Sequence, residues 1–183
     1  NAFYMQTEFT RAFDCYTRAV TIQQPTKNTF GEASALQAIA MVHKELGDYA
    51  AAIDTWRKSL ALAETAGDLA GTAKAWTGIG DLYRLQGDLA RALEHQVRGL
   101  EVWVRLKNAG ETATAHFSIG QLHALQRNYP RAIESYQKAL DDPQLLPQAD
   151  LFLRQVRAPG MSGQPVDDQM PEILALALGL GRQ

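Results

Sequence analysis

The sequence has few of the residues that support covalent cross-links or membrane insertion. Cys15 is the only cysteine among 183 residues, which excludes an intramolecular disulfide and a cysteine-based zinc site. The longest uninterrupted apolar stretch, Ile173–Leu180, is far shorter than the roughly 20 residues of a membrane-spanning helix. No basic segment followed by an apolar one opens the chain as a secretory signal would. We therefore expect a cytoplasmic protein, in a reducing compartment and without a membrane partner.

Neither sign of charge is in excess, and catalytic signatures are missing. Lys and Arg number 18 and Asp and Glu number 20, so no global basic surface attracts nucleic acid, and we expect no such partner. The sequence has no Gly-rich phosphate loop, no His-Glu-x-x-His motif and no Gly-x-Ser-x-Gly motif. We predict that the chain is not an enzyme and holds no cofactor or metal. Only a metal or cofactor bound to the purified protein would indicate a hydrolase or transferase.

The sequence does contain a strong internal repeat of 40 residues. Two columns of small residues show it, with Ala12, Ala52, Ala92 and Ala132 in one and Ala40, Gly80 and Gly120 in the other. Apolar positions within each period recur at helical spacing, and no segment alternates with a period of two. Gly47-Asp48 and Gly87-Asp88 stand where one helix ends and the next begins, since glycine closes a helix and aspartate caps the next one. Each repeat is therefore predicted to be a helical hairpin.

The pattern predicts the bounds of six helices. First helices of the hairpins are expected near Glu32–Leu46, Leu69–Leu85 and Thr112–Leu125, and second helices near Tyr49–Ala66, Leu89–Lys107 and Tyr129–Leu140. The small columns allow neighbouring helices to approach closely, while larger side chains fill the remaining space. These space-filling side chains are Trp56, Trp76, Tyr83 and Tyr136. Each hairpin buries one face against the next, so stability is expected to come from stacking and to need end caps.

The middle repeat resembles the tetratricopeptide repeat (TPR) signature. The residues that carry the resemblance are Trp76-x2-Ile79-Gly80-x2-Tyr83 followed by Ala92. The long period is similar to the repeats of the Pins/LGN scaffold group, kinesin light chains and bacterial peptide-sensing regulators. The resemblance covers about residues 3–140 and implies an all-α, right-handed superhelical α-solenoid of antiparallel helical hairpins. It also implies a non-catalytic interaction module that binds a peptide or partner segment in a concave groove. The alternative is a sensory or oligomerisation domain of a larger signalling or transcriptional regulator.

The repeat boundaries predict the organisation of the chain. The repeat domain is expected over residues 1–158, with a partial repeat at 1–28, repeats near 29–68, 69–108 and 109–146, and a short helix at 147–158. A linker is predicted at 159–165 and a C-terminal capping helix at 166–183, with a tethered pseudo-ligand as the alternative to the cap. Phe3 falls in the column of His43 and Tyr83, so the first repeat would begin inside its first helix. We therefore expect a fragment of a longer protein, with self-association through its aromatic-rich N-terminal end.

The inward stripe of the first helices is where a groove would lie. Positions i, i+3, i+7 and i+10 give the candidate peptide-binding residues Gln37, Met41, Lys44, Lys74, Thr77, Asp81, Arg84, Thr114, Phe117 and Gln121, with Ser34 and Ala124 at the ends of the stripe. Met41 and Phe117 are predicted to receive hydrophobic side chains. Gln37, Gln121 and Asp81 are predicted to pair with an extended backbone. Lys44, Lys74 and Arg84 outnumber Asp81, which favours an acidic segment, although a charged face that is merely solvated is the alternative.

Histidine and cysteine are interpreted as structural. His43 and His123 share a packing column with Tyr83. His116 and His123 are about 10 Å apart along one helix, too far for one metal ion. Cys15 is expected to be a buried thiol on a second helix.

Overall fold

The computed structural model describes residues 2–25 and 28–140, with side chains described from Phe9 onward. Every described element is an α-helix, as predicted. The helices are α1 (Ala2–Gln23), α2 (Thr29–Glu45), α3 (Tyr49–Ala66), α4 (Leu69–Leu85), α5 (Leu89–Arg105), α6 (Ala109–Leu125) and α7 (Tyr129–Ala139). The chain divides into two compact units, residues 1–106 and 107–183, and each is described by itself. The predicted short helix at 147–158, linker at 159–165 and capping helix at 166–183 lie outside the described residues.

Most helix bounds agree with the sequence prediction to within three residues. The bounds of α3 and α4 are the same as predicted. The helices α2 and α6 begin earlier than predicted, at Thr29 and Ala109, because Asn28 and Asn108 cap them. Each asparagine side chain accepts a hydrogen bond from a backbone N–H of the first turn. The sequence interpretation did not recognise Asn28 and Asn108 as caps, so it placed these two starts too late.

Helix caps recur every 20 residues. The capping residues are Asn28, Asp48, Asp68, Asp88, Asn108 and Asn128, and each accepts a hydrogen bond from the N–H three residues later, at 2.9–3.5 Å. The residue before five of these caps has left-handed φ, namely Gly47, Gly67, Gly87, Lys107 and Arg127. Each 40-residue repeat is therefore divided into two helices of nearly equal length by the same two-residue device.

Lys107 occupies a left-handed position that suits glycine better. Its φ is 54°, where the Cβ of an L-residue crowds the backbone. We expect Lys107→Gly to raise the free energy of unfolding by about 0.5–1 kcal/mol, as measured by urea denaturation with far-UV circular dichroism. The reciprocal change Gly67→Lys, at the equivalent turn of the preceding repeat with φ 69°, should lower it. A loss of stability in Lys107→Gly would contradict this account of the turn.

The helix α1 differs from the predicted first repeat. The sequence pattern places Phe3 in a first-helix column and Phe9 in a second-helix column, with a turn expected between them. The structure instead has one continuous helix of 22 residues over this segment. Thr7 stands 40 residues before Gly47, and a threonine does not favour the left-handed conformation that the turn requires.

Small residues bring the helices close together, as predicted. Ala52, Ala92 and Ala132 are fully buried. The Trp56 ring packs so closely over Gly78 that a Cβ atom there would lie 2.6 Å from the ring carbons. The ring of Tyr136 covers Gly120 at the same distance. Gly78 and Gly120 therefore each accommodate a large ring from another helix.

Candidate functional site

Seven of the predicted groove residues lie on two adjacent helices of the unit 1–106. We call this surface the α2–α4 face, and it consists of Gln37, Met41 and Lys44 on α2 and Lys74, Thr77, Asp81 and Arg84 on α4. The Gln37 side-chain Nε2 donates a hydrogen bond to the backbone oxygen of Gly71 at 3.3 Å. Further along, Lys44 lies close enough to Asp81 to affect its ionisation. Because residue numbers rise together on both helices, α2 and α4 run in the same direction.

The side chains of this face differ in how available they are to a ligand. Met41 is 54% exposed and Lys74 is also exposed. The hydroxyl of Thr77 donates to the backbone oxygens of Ala73 and Lys74, at 3.2 and 3.1 Å. Gln37 uses its amide N–H in the link to α4. The polar groups of Thr77 and Gln37 are thus engaged within the fold, whereas Met41 and Lys74 face solvent.

Asp81 is held by a residue of another helix. The side-chain Nε2 of Gln96, on α5, donates a hydrogen bond to Asp81 Oδ1 at 2.9 Å. Burial raises the pKa of the Asp81 carboxyl, against the opposing effects of Arg84, Lys44 and the Gln96 hydrogen bond. One oxygen of this carboxylate is therefore committed to α5, which leaves only the other for the predicted pairing with an extended backbone.

The cations of the α2–α4 face are largely free of direct ion pairs. Lys44 Nζ lies 3.4 Å from the carboxylate of its neighbour Glu45. Within residues 2–25 and 28–140, neither Lys74 nor Arg84 forms an ion pair within 4.0 Å. The face therefore presents two positive groups without a direct ion pair, and the charge of one of them, Arg84, acts on the partly buried Asp81.

The remaining candidates, on α6, belong to the unit 107–183. Thr114 is exposed, and its hydroxyl donates to the backbone oxygen of Gly110 at 3.0 Å. Phe117 is half-buried, with its ring centroid 5.5 Å from that of Tyr136. Ala124 is buried beside Tyr136 in the α6–α7 core, and Gln121 is half-buried. Phe117 and Ala124 thus contribute to the core of their hairpin, which departs from the expectation that both belong to an open stripe.

From the sequence we did not predict a role for Gln96, although the repeat pattern marks this residue as unusual. Counting by 40 places Gln96 in one column with Trp56 and Tyr136, both of which are buried aromatic residues. Gln96 is 2% exposed, so a polar side chain occupies a core position in the middle repeat alone. A polar residue in an otherwise aromatic column indicates a buried hydrogen-bonding partner nearby, and here that partner is Asp81.

A second cluster that the sequence did not predict joins α4 and α5. The Arg91 guanidinium lies 4.9 Å from the centre of the Tyr83 ring, and that of Arg98 lies 4.8 Å from the centre of the Trp76 ring. The His95 ring lies between both aromatic rings, with centroids 5.1 and 5.3 Å away. Arg91 and Arg98 also pair with Asp88 and Glu94. Because its charges are balanced locally, this cluster is best understood as helix packing.

The histidines and the cysteine show no arrangement for chemistry. The His43 ring contacts that of Phe13, with 5.3 Å between centroids, which places it in the α1–α2 interface. His123 is buried, and burial lowers its pKa, so the ring is neutral at neutral pH. Cys15 is exposed, so the expected buried thiol was wrong. Phe13 faces α2, and Cys15, two residues later, lies on the opposite side of α1.

The described part of the chain contains neither a cluster of metal ligands nor a helix suited to a membrane. No three His, Cys, Asp or Glu side chains among these residues are placed together as metal ligands would be. No helix within 2–25 and 28–140 combines the length and apolarity needed to cross a membrane.

Two family models of the tetratricopeptide repeat match the chain, over residues 38–98 and 71–142. Together they span more than half of it. The chain belongs to the tetratricopeptide repeat family. TPR proteins are generally non-catalytic protein-interaction modules, which agrees with the sequence interpretation at this level. No curated protein matches the chain in a sequence comparison.

Solved structures share the TPR fold at low sequence identity. The apo form of RapI has a TM-score of 0.77 and 17% identity, and BtubC (BKLC) from P. vanneervenii has 0.69 and 18%. A Podosopora anserina protein described as a kinesin light chain, with nearly identical TPR-like repeats, has 0.67 and 12%. The matches cover 97%, 96% and 98% of this chain and 50%, 68% and 90% of the three proteins, so the chain spans half the length of RapI. These similarities establish an all-α helical-repeat fold.

Proposed function

We propose that this TPR module binds an acidic, extended segment of a partner protein on the α2–α4 face. The observation that carries the proposal is the presence of unpaired positive groups, Lys74 and Arg84, on the same face as an exposed methionine. A guanidinium without a protein partner is available for two parallel hydrogen bonds to a carboxylate. A partner of opposite charge therefore satisfies groups that the fold leaves unpaired.

Met41 supplies the apolar part of the proposed site. Its side chain is 54% exposed, and it lies one helical turn before Lys44 on α2. A methionine side chain is flexible and polarisable, so it adapts to ligand side chains of different shape. The face therefore favours a segment in which carboxylates flank an apolar residue.

The matching probe is a fluorescein-labelled octaglutamate peptide with one central leucine. We expect its fluorescence anisotropy to rise on titration with the protein, whereas an octalysine peptide with the same leucine shows no comparable rise. Binding should weaken as salt increases, because the screening length falls from about 10 Å at 0.1 M to about 3 Å at 1 M ionic strength. Equal binding of the two peptides, or salt-independent binding, would contradict the proposal.

The alternative role in sensing or oligomerisation lacks comparable support. Phe9 and Phe13 of α1 are half-buried, and Phe13 packs on His43. Among the side chains of this helix that the structure describes, from Phe9 onward, the large exposed apolar ones are Tyr16 and Ile22, which are six residues apart and do not form a continuous stripe. Phe13 therefore serves α1–α2 packing, which weakens the case for self-association through this part of α1.

A further inference from the structure

Asp81 and Arg84 are spaced for an ion pair that does not form. Residues three apart on a helix are neighbours. At the same spacing Arg57 lies 3.8 Å from Asp54, and Arg91 lies 2.6 Å from Asp88. Arg84 has no ion pair within 4.0 Å in the described part of the chain, although its charge opposes the rise in the pKa of Asp81 that burial causes. Something other than helix geometry keeps this pair apart.

The Asp81 carboxylate is hydrogen-bonded to Gln96 instead. The Gln96 Nε2 donates to Asp81 Oδ1 at 2.9 Å and to the backbone oxygen of Thr77 at 3.3 Å. The stem of Gln96 lies against Gly80, where a Cβ atom would be 3.0 Å from its Cγ. The carboxylate of Asp81 is thus held toward α5 by a side chain that is 2% exposed and closely packed.

This arrangement is specific to the middle repeat. Trp56 and Tyr136 occupy the positions equivalent to Gln96, while Met41 and Gln121 occupy those equivalent to Asp81. The glutamine and the carboxylate therefore occur together in one repeat and are both missing from its two neighbours. A buried polar pair in place of an aromatic ring buries less apolar surface, so it stabilises the fold less. A purely structural role gives no reason for this exchange.

We propose that Gln96 is a positioning residue of the α2–α4 face, which holds the Asp81 carboxylate so that the Arg84 guanidinium stays unpaired and open to a carboxylate of the bound segment. This inference rests on the proposed binding of an acidic segment. Once Gln96 is removed, Asp81 rotates to its i+3 neighbour and competes with the ligand for Arg84. The binding site then loses part of its positive charge without any change in a ligand-contacting residue.

The test uses Gln96→Met, which keeps the length of the side chain and removes its amide. The equivalent positions in the other repeats carry large apolar residues, and Gln96 Oε1 has no hydrogen-bond partner among the described residues, so the fold should tolerate the change. We expect the octaglutamate-leucine probe to bind roughly threefold to fivefold more weakly, because an ion pair close to the surface is a weak competitor. In an Asp81→Asn background the same change should have no effect. Equal weakening in both backgrounds would overturn the proposal.

A measurement without ligand separates this proposal from the proposed function. The pKa of Asp81 can be followed by NMR titration in the wild type and in Gln96→Met. The Gln96 hydrogen bond lowers this pKa, so its loss alone would raise it further. Pairing with Arg84 would instead lower it. A lower pKa in Gln96→Met supports the positioning role even if the probe fails to bind, and a higher one refutes it. Gln96→Leu provides a second variant in case Gln96→Met does not fold.

Discussion

Replacing Trp56 with alanine is expected to lower the free energy of unfolding by about 3–5 kcal/mol. The ring is buried, with 7% of the residue exposed, and it fills the space over Gly78 between α3 and α4. Its removal leaves a cavity between two helices that belong to successive repeats. Urea denaturation followed by tryptophan fluorescence and far-UV circular dichroism measures the loss, and Trp56→Phe should recover part of it.

Gly78→Ala gives a matched test of the same contact. In the wild type the added methyl would lie 2.6 Å from the ring carbons of Trp56, so this change should destabilise by about 1–3 kcal/mol through overpacking. In the Trp56→Ala background the methyl enters the cavity, and the same change should become neutral or stabilising. Such a change of sign is the signature of direct contact. If Gly78→Ala costs the same in both backgrounds, the ring does not pack on Gly78 as described.

The second large effect is expected from reversing the charge of Arg84. We predict that Arg84→Glu weakens binding of the octaglutamate-leucine probe roughly tenfold to hundredfold, about 1.4–2.8 kcal/mol, because a like charge replaces an unpaired guanidinium. Lys58→Glu makes the same change in net charge at an exposed position of α3 outside the α2–α4 face. Its affinity should stay within about twofold of the wild type.

The Lys58→Glu control also defines the result that would contradict this prediction. If Lys58→Glu weakens the probe as much as Arg84→Glu, binding follows net charge and does not use the α2–α4 face. Phe117→Ala is a poor partner for this test, although the sequence suggests it as a groove anchor. Its ring packs on Tyr136 inside the α6–α7 hairpin, so the substitution would change stability as well as binding.

The helices could be predicted because their signals are local. A periodic apolar face and a Gly-Asp boundary lie within one segment of chain, and α3 and α4 were predicted to the residue. The candidate site could be predicted only as a set of positions. Ala124 lies ten residues after Thr114, and ten residues of an α-helix fall about 80° short of three full turns. The two side chains therefore point in directions that differ by about 80°. That rotation carries the end of the stripe into the α6–α7 core.

The link between Gln96 and Asp81 shows a different limit. The two residues lie on separate helices, and their hydrogen bond depends on how α4 and α5 pack at Gly80. Helical periodicity assigns each residue to a face of its own helix, but it does not say which side chains meet across an interface. The column of Trp56, Gln96 and Tyr136 identifies the unusual residue, and only the three-dimensional structure identifies its partner.

The equal spacing of the caps determines which insertions and deletions in the sequence the fold can accommodate. The capping residues from Asn28 to Asn128 stand at intervals of 20, and α2 to α6 are each 17 or 18 residues long. Duplication or loss of one 40-residue hairpin therefore leaves every remaining cap in phase with its helix. A gain that is not a multiple of 20 residues displaces a turn into a helix or a helix residue into a turn. Recombination between repeats is thus a mild change for this chain, whereas a short insertion inside one is a severe one.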